Sequence, residues 1–140
     1  MTFPTIELSD YGAYLEFEYP RGSDGAPAAR AADEHERQGR LAAFPHSVVL
    51  KVAFAEMDYA NRWCWQQFGP ARGECRQRRS EYPTCTLEDP HSHDGSWLSH
   101  WLAKTAYNFG FNEWCFRQSA DLARFLGFVP HITWGEKFPR

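Results

Sequence analysis

The stretch NFGFNEWCF, residues 108–116, carries aromatic rings at short intervals and runs directly into RQSADLARFLGF, residues 117–128. The first segment predicts a β-strand that is largely apolar on at least one face. The second predicts a helix, because Ser119 is a suitable N-cap residue and Leu122 and Phe125 follow at helical spacing. A strand that leads at once into an amphipathic helix indicates an α+β fold.

Working outward, the flanking segments complete this pattern. The other predicted elements are a strand over 47–54, a helix over 55–68, a strand over 95–104 and a short strand over 131–134. The helix over 55–68 should end at Gly69 and Pro70, because glycine can turn left-handed and proline cannot continue a helix. The resulting order is strand, helix, strand, strand, helix, strand. It predicts a ferredoxin-like split βαβ sandwich, with two helices on one face of an antiparallel sheet.

The N-terminal third predicts two appendages to this core. Residues 5–19 alternate apolar and polar side chains around a tight turn at Ser9–Gly12, which indicates a β-hairpin. Residues 21–45 are small and polar, so we expect a flexible or partly helical linker, with a short helix from Ala28 to Ala43. We therefore expect a single domain over 1–140. Its parts are a hairpin over 1–20, a linker over 21–45, and an α+β core over 46–135 with a long inserted loop at 71–95.

Composition limits the classes of function. The chain has 140 residues, a net charge of −3 and a pI of about 6.0, so no overall field attracts nucleic acid or an anionic membrane. Aromatic residues make up 16% of the chain, more than one core of this size should bury, so some rings should line an interface. The sequence shows neither a signal peptide nor an apolar run of membrane length. We expect a cytoplasmic protein without a cofactor, whose four cysteines are thiols.

The stretch around Phe109 also suggests nucleic-acid binding. RNA-recognition domains share the predicted order of elements, and their third strand carries the pattern K/R-G-F/Y-G/A-F-V-x-F/Y. Phe109, Gly110 and Phe111 match it, but no basic residue opens the motif and Asn112 replaces an apolar core residue. Phosphate contacts would come from the dense basic run, Arg72, Arg76, Arg78 and Arg79. A nucleic-acid-binding module that uses these arginines with Phe109 and Phe111 is the second functional hypothesis; a solvated edge is the structural alternative for the arginines.

A zinc-stabilised small domain is the third hypothesis. The inserted loop contains side chains of the type that zinc prefers, namely Cys75, Cys85, His91 and His93. Their spacing matches none of the compact patterns that form a tetrahedral site. A solvated polar loop is the alternative.

Motifs for catalysis are incomplete. The segment FVPHITWG, residues 128–135, resembles one half of the paired His-x-Thr motif of two-histidine phosphoesterases, and no second half is present. The chain also contains no nucleophile elbow, phosphate loop or dinucleotide fingerprint. We therefore predict that the protein is not an enzyme and has no catalytic residues.

Residues 55–128 resemble a loose group of small proteins encoded by tailed phages and prophages. In that group a helix ends in W-C-x-x-x-F-G-P, a strand carries W-x-F, and a helix with a D-A-x-x-F-like pattern closes the unit. The first block is present as Trp63, Cys64, Phe68, Gly69 and Pro70. The second is present as Trp114 and Phe116, whereas Ala120 and Asp121 stand in reversed order. The resemblance implies an accessory protein that binds a host or phage macromolecule, and it implies no catalytic residue.

The leading hypothesis is a non-enzymatic accessory protein that acts by protein–protein contact, with inhibition of a host defence or host factor as one such role. Its surplus rings should anchor the contact, since aromatic residues dominate binding hot spots. The expected partner-binding residues are Trp97, Trp101, Phe109, Phe111 and Trp134. A homodimer formed through the open sheet face is the competing arrangement.

Overall fold

The computed structural model describes residues 6–69, 71, 95–106 and 109–131. Within these ranges the chain forms four helices, a short 3-10 turn and four strands that make one antiparallel sheet. In chain order the elements are β1 (Glu7–Ser9), α1 (Tyr11–Glu18), α2 (Ala26–Ala43), β2 (His46–Ala53), α3 (Phe54–Phe68), β3 (Trp97–Ala106), β4 (Phe109–Phe116), α4 (Ser119–Phe128) and the turn Val129–His131. The strands lie in the order β1-β2-β4-β3. The α+β class and the antiparallel sheet are as predicted.

Strand β4 lies inside the sheet and has a partner along each edge. Val48 of β2 and Ser99 of β3 pair with Trp114 from opposite sides. Every residue of β4 after Phe109 is buried, which accounts for the dense aromatic content of this stretch. Because successive side chains of a strand point to opposite faces, even-numbered residues of β4 face one side of the sheet and odd-numbered residues the other.

The even-numbered face of β4 is covered by α3 and α4. Trp114, Phe116 and Phe125 are fully buried in the main core, and the ring centroids of Trp114 and Phe125 lie 5.1 Å apart. The indole nitrogen of Trp114 donates to Oδ1 of Asn61 at 2.8 Å, which satisfies two buried polar groups at once. Two of the predicted helices, α3 and α4, therefore lie on one face of the sheet.

The odd-numbered face of β4 is also covered. Tyr14 and Leu15 of α1 pack with Val49 and Phe111 in a second, smaller buried cluster. The rings of Tyr14 and Phe111 meet edge to face, with their centroids 5.9 Å apart. The sheet therefore carries helices on both faces, whereas an open second face was expected.

The predicted N-terminal hairpin over 5–19 is wrong in its second half. β1 is a strand, but the following residues form the helix α1. The carboxylate of Asp10 caps this helix by accepting a backbone hydrogen bond at 2.7 Å. The buried side chains of α1, Tyr11, Tyr14 and Leu15, recur at helical spacing. Burial of that face outweighs the alternation on which the strand prediction rested.

The predicted linker over 21–45 is largely helical. The helix expected from Ala28 to Ala43 is confirmed and begins slightly earlier, at Ala26. Pro27 stands in its first turn, where a missing N–H costs nothing, and Gly25 before it takes a positive φ of 74°. Among the helices of the described ranges, none combines the length and the apolar character needed to cross a bilayer.

The remaining boundaries agree with the predicted ones to within two residues. Gly69 takes a positive φ of 83° after α3, as expected. Helix α4 begins at Ser119, but Gln118 occupies its N-cap position without a side-chain cap bond, so the predicted capping role of Ser119 is wrong. The first residue of the predicted strand 131–134 ends the 3-10 turn. The rest of that strand and residues 72–94 of the insertion lie outside the described residues.

The connection from β2 through α3 to β3 skips one position in the sheet, and β4 fills it. This is the arrangement of a split βαβ unit. The edge beside β2 is occupied by β1, from the N-terminal part of the chain, whereas a ferredoxin-like sheet carries its last strand there. Three of the four strands, β2, β4 and β3, therefore stand in the order that the predicted topology requires, and β1 stands where the last strand was expected.

Candidate functional site

The five residues predicted to bind a partner fall into three groups. Trp97 and Phe111 are interior side chains, 0% and 2% exposed, so they present no surface to a partner. Trp101 and Phe109 are half-buried, but Trp101 lies on the even-numbered face of the sheet and Phe109 on the odd-numbered face. Trp134 lies outside the described residues.

Burial of Trp97 has a clear physical cause. Its indole nitrogen donates to the carbonyl oxygen of Gly69 at 2.8 Å, which ties the start of β3 to the end of α3. The ring belongs to the main core beneath α3 and α4. Trp97 is therefore a structural residue.

Trp101 forms a surface pair with a residue that the sequence pattern did not single out. Its ring lies against that of Phe54, the first residue of α3, with centroids 4.9 Å apart and planes inclined by 31°. Phe54 is 36% exposed. We call Phe54 and Trp101 the aromatic patch.

Gly110 fixes the position of Trp101. A Cβ atom at Gly110 would lie 2.2 Å from the indole carbon Cη2 of Trp101 and 2.4 Å from the carbonyl oxygen of Ala103. The ring therefore lies directly on the backbone of β4, in space that only glycine leaves open. A ring held in this way loses little conformational freedom when a partner covers it.

The predicted nucleic-acid surface is not assembled among the described residues. Phe111 is covered by Tyr14 and by Phe17, whose ring centroid lies 5.7 Å from its own, so no base can stack on it in this arrangement. The four arginines 72, 76, 78 and 79 lie outside the described residues. The same holds for the predicted zinc ligands at 75, 85, 91 and 93. Within the described part of the chain, no three His, Cys, Asp or Glu side chains converge as metal ligands would.

A polar cluster beneath α2 was not predicted at all. Glu113 is fully buried at the centre of the sheet, and two arginines of α2 hold its carboxylate. Nε and Nη2 of Arg37 donate to Oε2 at 3.0 and 2.8 Å, and Nη2 of Arg40 donates to Oε1 at 3.1 Å. The guanidinium carbon of Arg37 also lies 4.2 Å from the ring centroid of Tyr11. Removing the partner of a buried charge in such a pair costs about 3–5 kcal/mol.

Three tyrosines of the N-terminal segment share a second carboxylate of α2. The hydroxyls of Tyr11, Tyr14 and Tyr19 all donate to Asp33. Burial disfavours the charge of Asp33, but these hydrogen bonds outweigh it and lower the pKa of Asp33. Burial and the contact with Asp33 raise the pKa of Tyr11 and Tyr14. The phenols thus stay neutral and the carboxylate charged, which is a stable donor–acceptor arrangement.

His100 and Cys115 complete the cluster on the sheet side. Burial lowers the pKa of His100, and the charge of Arg40 lowers it further. Burial raises the pKa of the Cys115 thiol to about 12, and the charge of Glu113 raises it further. A thiol in that state is a poor nucleophile. The cluster is therefore suited to holding α2 against the sheet, and not to nucleophilic chemistry.

A signal for this cluster was present in the sequence. Arg30, Asp33, Arg37 and Arg40 recur three or four residues apart, which places them on one face of an alanine-rich helix. Glu113 is likewise the one carboxylate in a strand of mostly apolar residues, and such a residue is rarely buried unless it is paired. Neither pattern indicates that the arginines of α2 pair with Glu113.

Comparisons of the chain with protein-family models, with curated proteins and with solved structures found no match. Function has to be inferred from the residues and their geometry.

Proposed function

We propose that the protein is a non-enzymatic accessory protein that binds another protein through the aromatic patch. The observation that carries this proposal is the tilted ring pair of Phe54 and Trp101, which stays partly exposed at the surface. Tryptophan is enriched among residues that dominate binding energy.

The geometry favours this use of the patch for an energetic reason. Association costs free energy for every side chain that it immobilises, about 0.5–1.5 kcal/mol each. Trp101 is already held against Gly110 and Phe54, so little of that cost applies to it. A preformed ring pair at a sheet end is therefore a better anchor than a free surface ring.

The nature of the partner follows from the resemblance over residues 55–128. We propose a phage- or prophage-encoded cytoplasmic protein whose target is a host or phage protein, with inhibition of a host defence or host factor as its role. The polar residues described above support a non-catalytic function, because they hold helices in place. We also propose that β2, α3, β3, β4 and α4 form a ferredoxin-like core, in which β1 occupies the edge position beside β2.

Retention of a host protein on the immobilised full chain tests this function. We expect extract of the host to yield a protein that is retained with and without nuclease treatment. Phe54→Ala and Trp101→Ala should each reduce its retention more than about tenfold, as for hot-spot residues. Leu126→Ala is the matched control, because Leu126 is 40% exposed on α4 and outside the patch. Thermal unfolding of each variant confirms that the fold persists.

Three results would contradict the proposal. Equal retention by the patch variants and the wild type would show that the patch is not the contact. Retention that disappears after nuclease treatment would favour nucleic-acid binding instead. A stable dimer in light scattering that Trp101→Ala dissociates would identify a second copy as the occupant of the patch.

A further inference from the structure

Helix α2 is attached to the rest of the molecule almost entirely by polar contacts. Ala26 is the only buried residue among its eighteen, all of which are described. Its other attachments include the charged contacts of Asp33, Arg37 and Arg40, the ion pair of Arg30 with Glu16, and the bond from Nε of Arg30 to the carbonyl oxygen of Tyr19 at 2.9 Å. In proteins most of the stability of a helix comes from packing of an apolar face, and α2 buries little of one. Without these contacts α2 has little to hold it in place.

The polar contacts of α2 leave a buried hydrogen-bond donor of this helix without a partner among the described residues. This donor is Nε of Arg40. A cleft of about 230 Å³ runs along the helix and is lined by Tyr11, Glu34, Arg37, Gln38 and Leu41. The glycines that precede α2, Gly22 and Gly25, have positive φ angles and open space around them, so the connection there can change direction.

The residues beneath α2 are separate from the main core. Glu113 and Cys115 lie on the odd-numbered face of β4, and both are fully buried. Cys64 lies on the other side of the sheet, in the core formed with α3 and α4. The two thiols therefore report on two different layers of the molecule.

We propose that α2 is a releasable cover, held shut by the ion pairs of Arg37 and Arg40 with Glu113, which detaches while the layer of α3 and α4 stays folded. Release uncovers the carboxylate of Glu113 and the thiol of Cys115 on the sheet. This device is independent of the aromatic patch, because Trp101 lies over Gly110, on the opposite face of the sheet.

Alkylation of the two buried thiols under native conditions tests the proposal. Cys75→Ser and Cys85→Ser remove the other two cysteines, and peptide mapping by mass spectrometry follows modification by N-ethylmaleimide. We expect Cys115 to react at least about tenfold faster than Cys64, since the opening of a polar-held helix requires less free energy than global unfolding. Arg37→Gln with Arg40→Gln should raise the rate at Cys115 at least about tenfold further, the order expected from a lost charge-assisted hydrogen bond. The rate at Cys64 should not change.

Two additional variants keep the test decisive. Arg21→Gln is the matched control, because it removes an exposed arginine and its ion pair with Glu16 while the contacts of α2 described above are kept, and it should leave the rate at Cys115 unchanged. Should the double glutamine variant fail to fold, Arg37→Lys keeps the charge but loses the two-nitrogen contact, and should give a smaller acceleration at Cys115 alone. Equal rates at both thiols in every variant would overturn the proposal, since α2 would then open only with the whole protein. An alkylation rate at Cys115 that is the same in both arginine variants as in the wild type would overturn it as well.

Discussion

Substitution of Gly110 by alanine tests how tightly β3 and β4 approach each other. The added Cβ atom would lie 2.2 Å from the ring of Trp101 and 2.4 Å from the carbonyl oxygen of Ala103. Both distances are far inside van der Waals contact. The ring can rotate away, but the carbonyl belongs to the backbone of β3 and moves only with the strand. The clash cannot be relieved by a side-chain rotation alone.

The expected cost follows from these contacts. Overpacking of a dense interior costs about 1–3 kcal/mol, and a backbone clash belongs in the upper half of that range. Replacing glycine by alanine also removes about 0.4–1 kcal/mol of unfolded-state entropy, which acts in the opposite direction. We therefore expect Gly110→Ala to lower the free energy of unfolding by about 2 kcal/mol. Gly39→Ala is the control, because Gly39 lies inside α2 with nothing within 4 Å, and it should stabilise the protein by about 0.5–1 kcal/mol.

Urea unfolding of the two variants, followed by far-ultraviolet circular dichroism, measures both effects at once. The double variant Gly110→Ala with Trp101→Ala, compared with Trp101→Ala alone, separates the two clashes. Removing the ring should recover only part of the loss, since the carbonyl of Ala103 stays in place. A Gly110→Ala variant as stable as the wild type would refute the reasoning. If removal of the ring restored the whole of the lost stability, the contact with the carbonyl oxygen of Ala103 would contribute nothing to the cost.

Two further perturbations address the core and the polar cluster. Asn61→Leu leaves the buried indole nitrogen of Trp114 without its acceptor and should lower the free energy of unfolding by about 1–3 kcal/mol in urea titrations. If Trp114→Phe restores part of this loss, the missing hydrogen bond is its cause. An unchanged urea midpoint in Asn61→Leu would contradict the prediction. His100 has a folded pKa below its ordinary value of 6.5, so its neutral form contributes stability that is present above that pH and is lost as the pH falls through 6.5 toward the lower folded value. The temperature of thermal unfolding should therefore fall between about pH 7 and about pH 5, and His100→Gln should flatten that dependence; an identical slope in the variant would assign it to another group.

Local elements could be predicted wherever one periodic pattern dominated. The helix Ser119–Phe128 has the predicted bounds, and the strand over β4 begins one residue later than expected. Residues 5–19 carried two patterns at once. Their alternation indicated a strand, whereas Tyr11, Tyr14 and Leu15 stood at helical spacing, and only burial against the sheet decided between them.

The candidate site was predictable in part. Trp101 and Phe109 were expected at the surface and reach it, but Trp97 and Phe111 were expected with them and are interior. The sequence offers no means of separating these pairs, because all four are aromatic residues of predicted strands. The pattern over 47–54 predicts Phe54 as the end of a strand, and its role appears only when Trp101 is placed beside it.

The sequence by itself determined the class of the fold and most of its helices and strands, because their patterns depend on neighbours a few residues apart. It also determined that the protein has more aromatic rings than one layer of core requires. The tertiary structure alone decided which rings stay exposed and that α1 and α2 cover the second face of the sheet. The contact between Arg37 and Glu113 joins residues 76 positions apart. A charge pair at that separation leaves no periodic trace in the chain, since each partner is chosen by the geometry of the folded sheet.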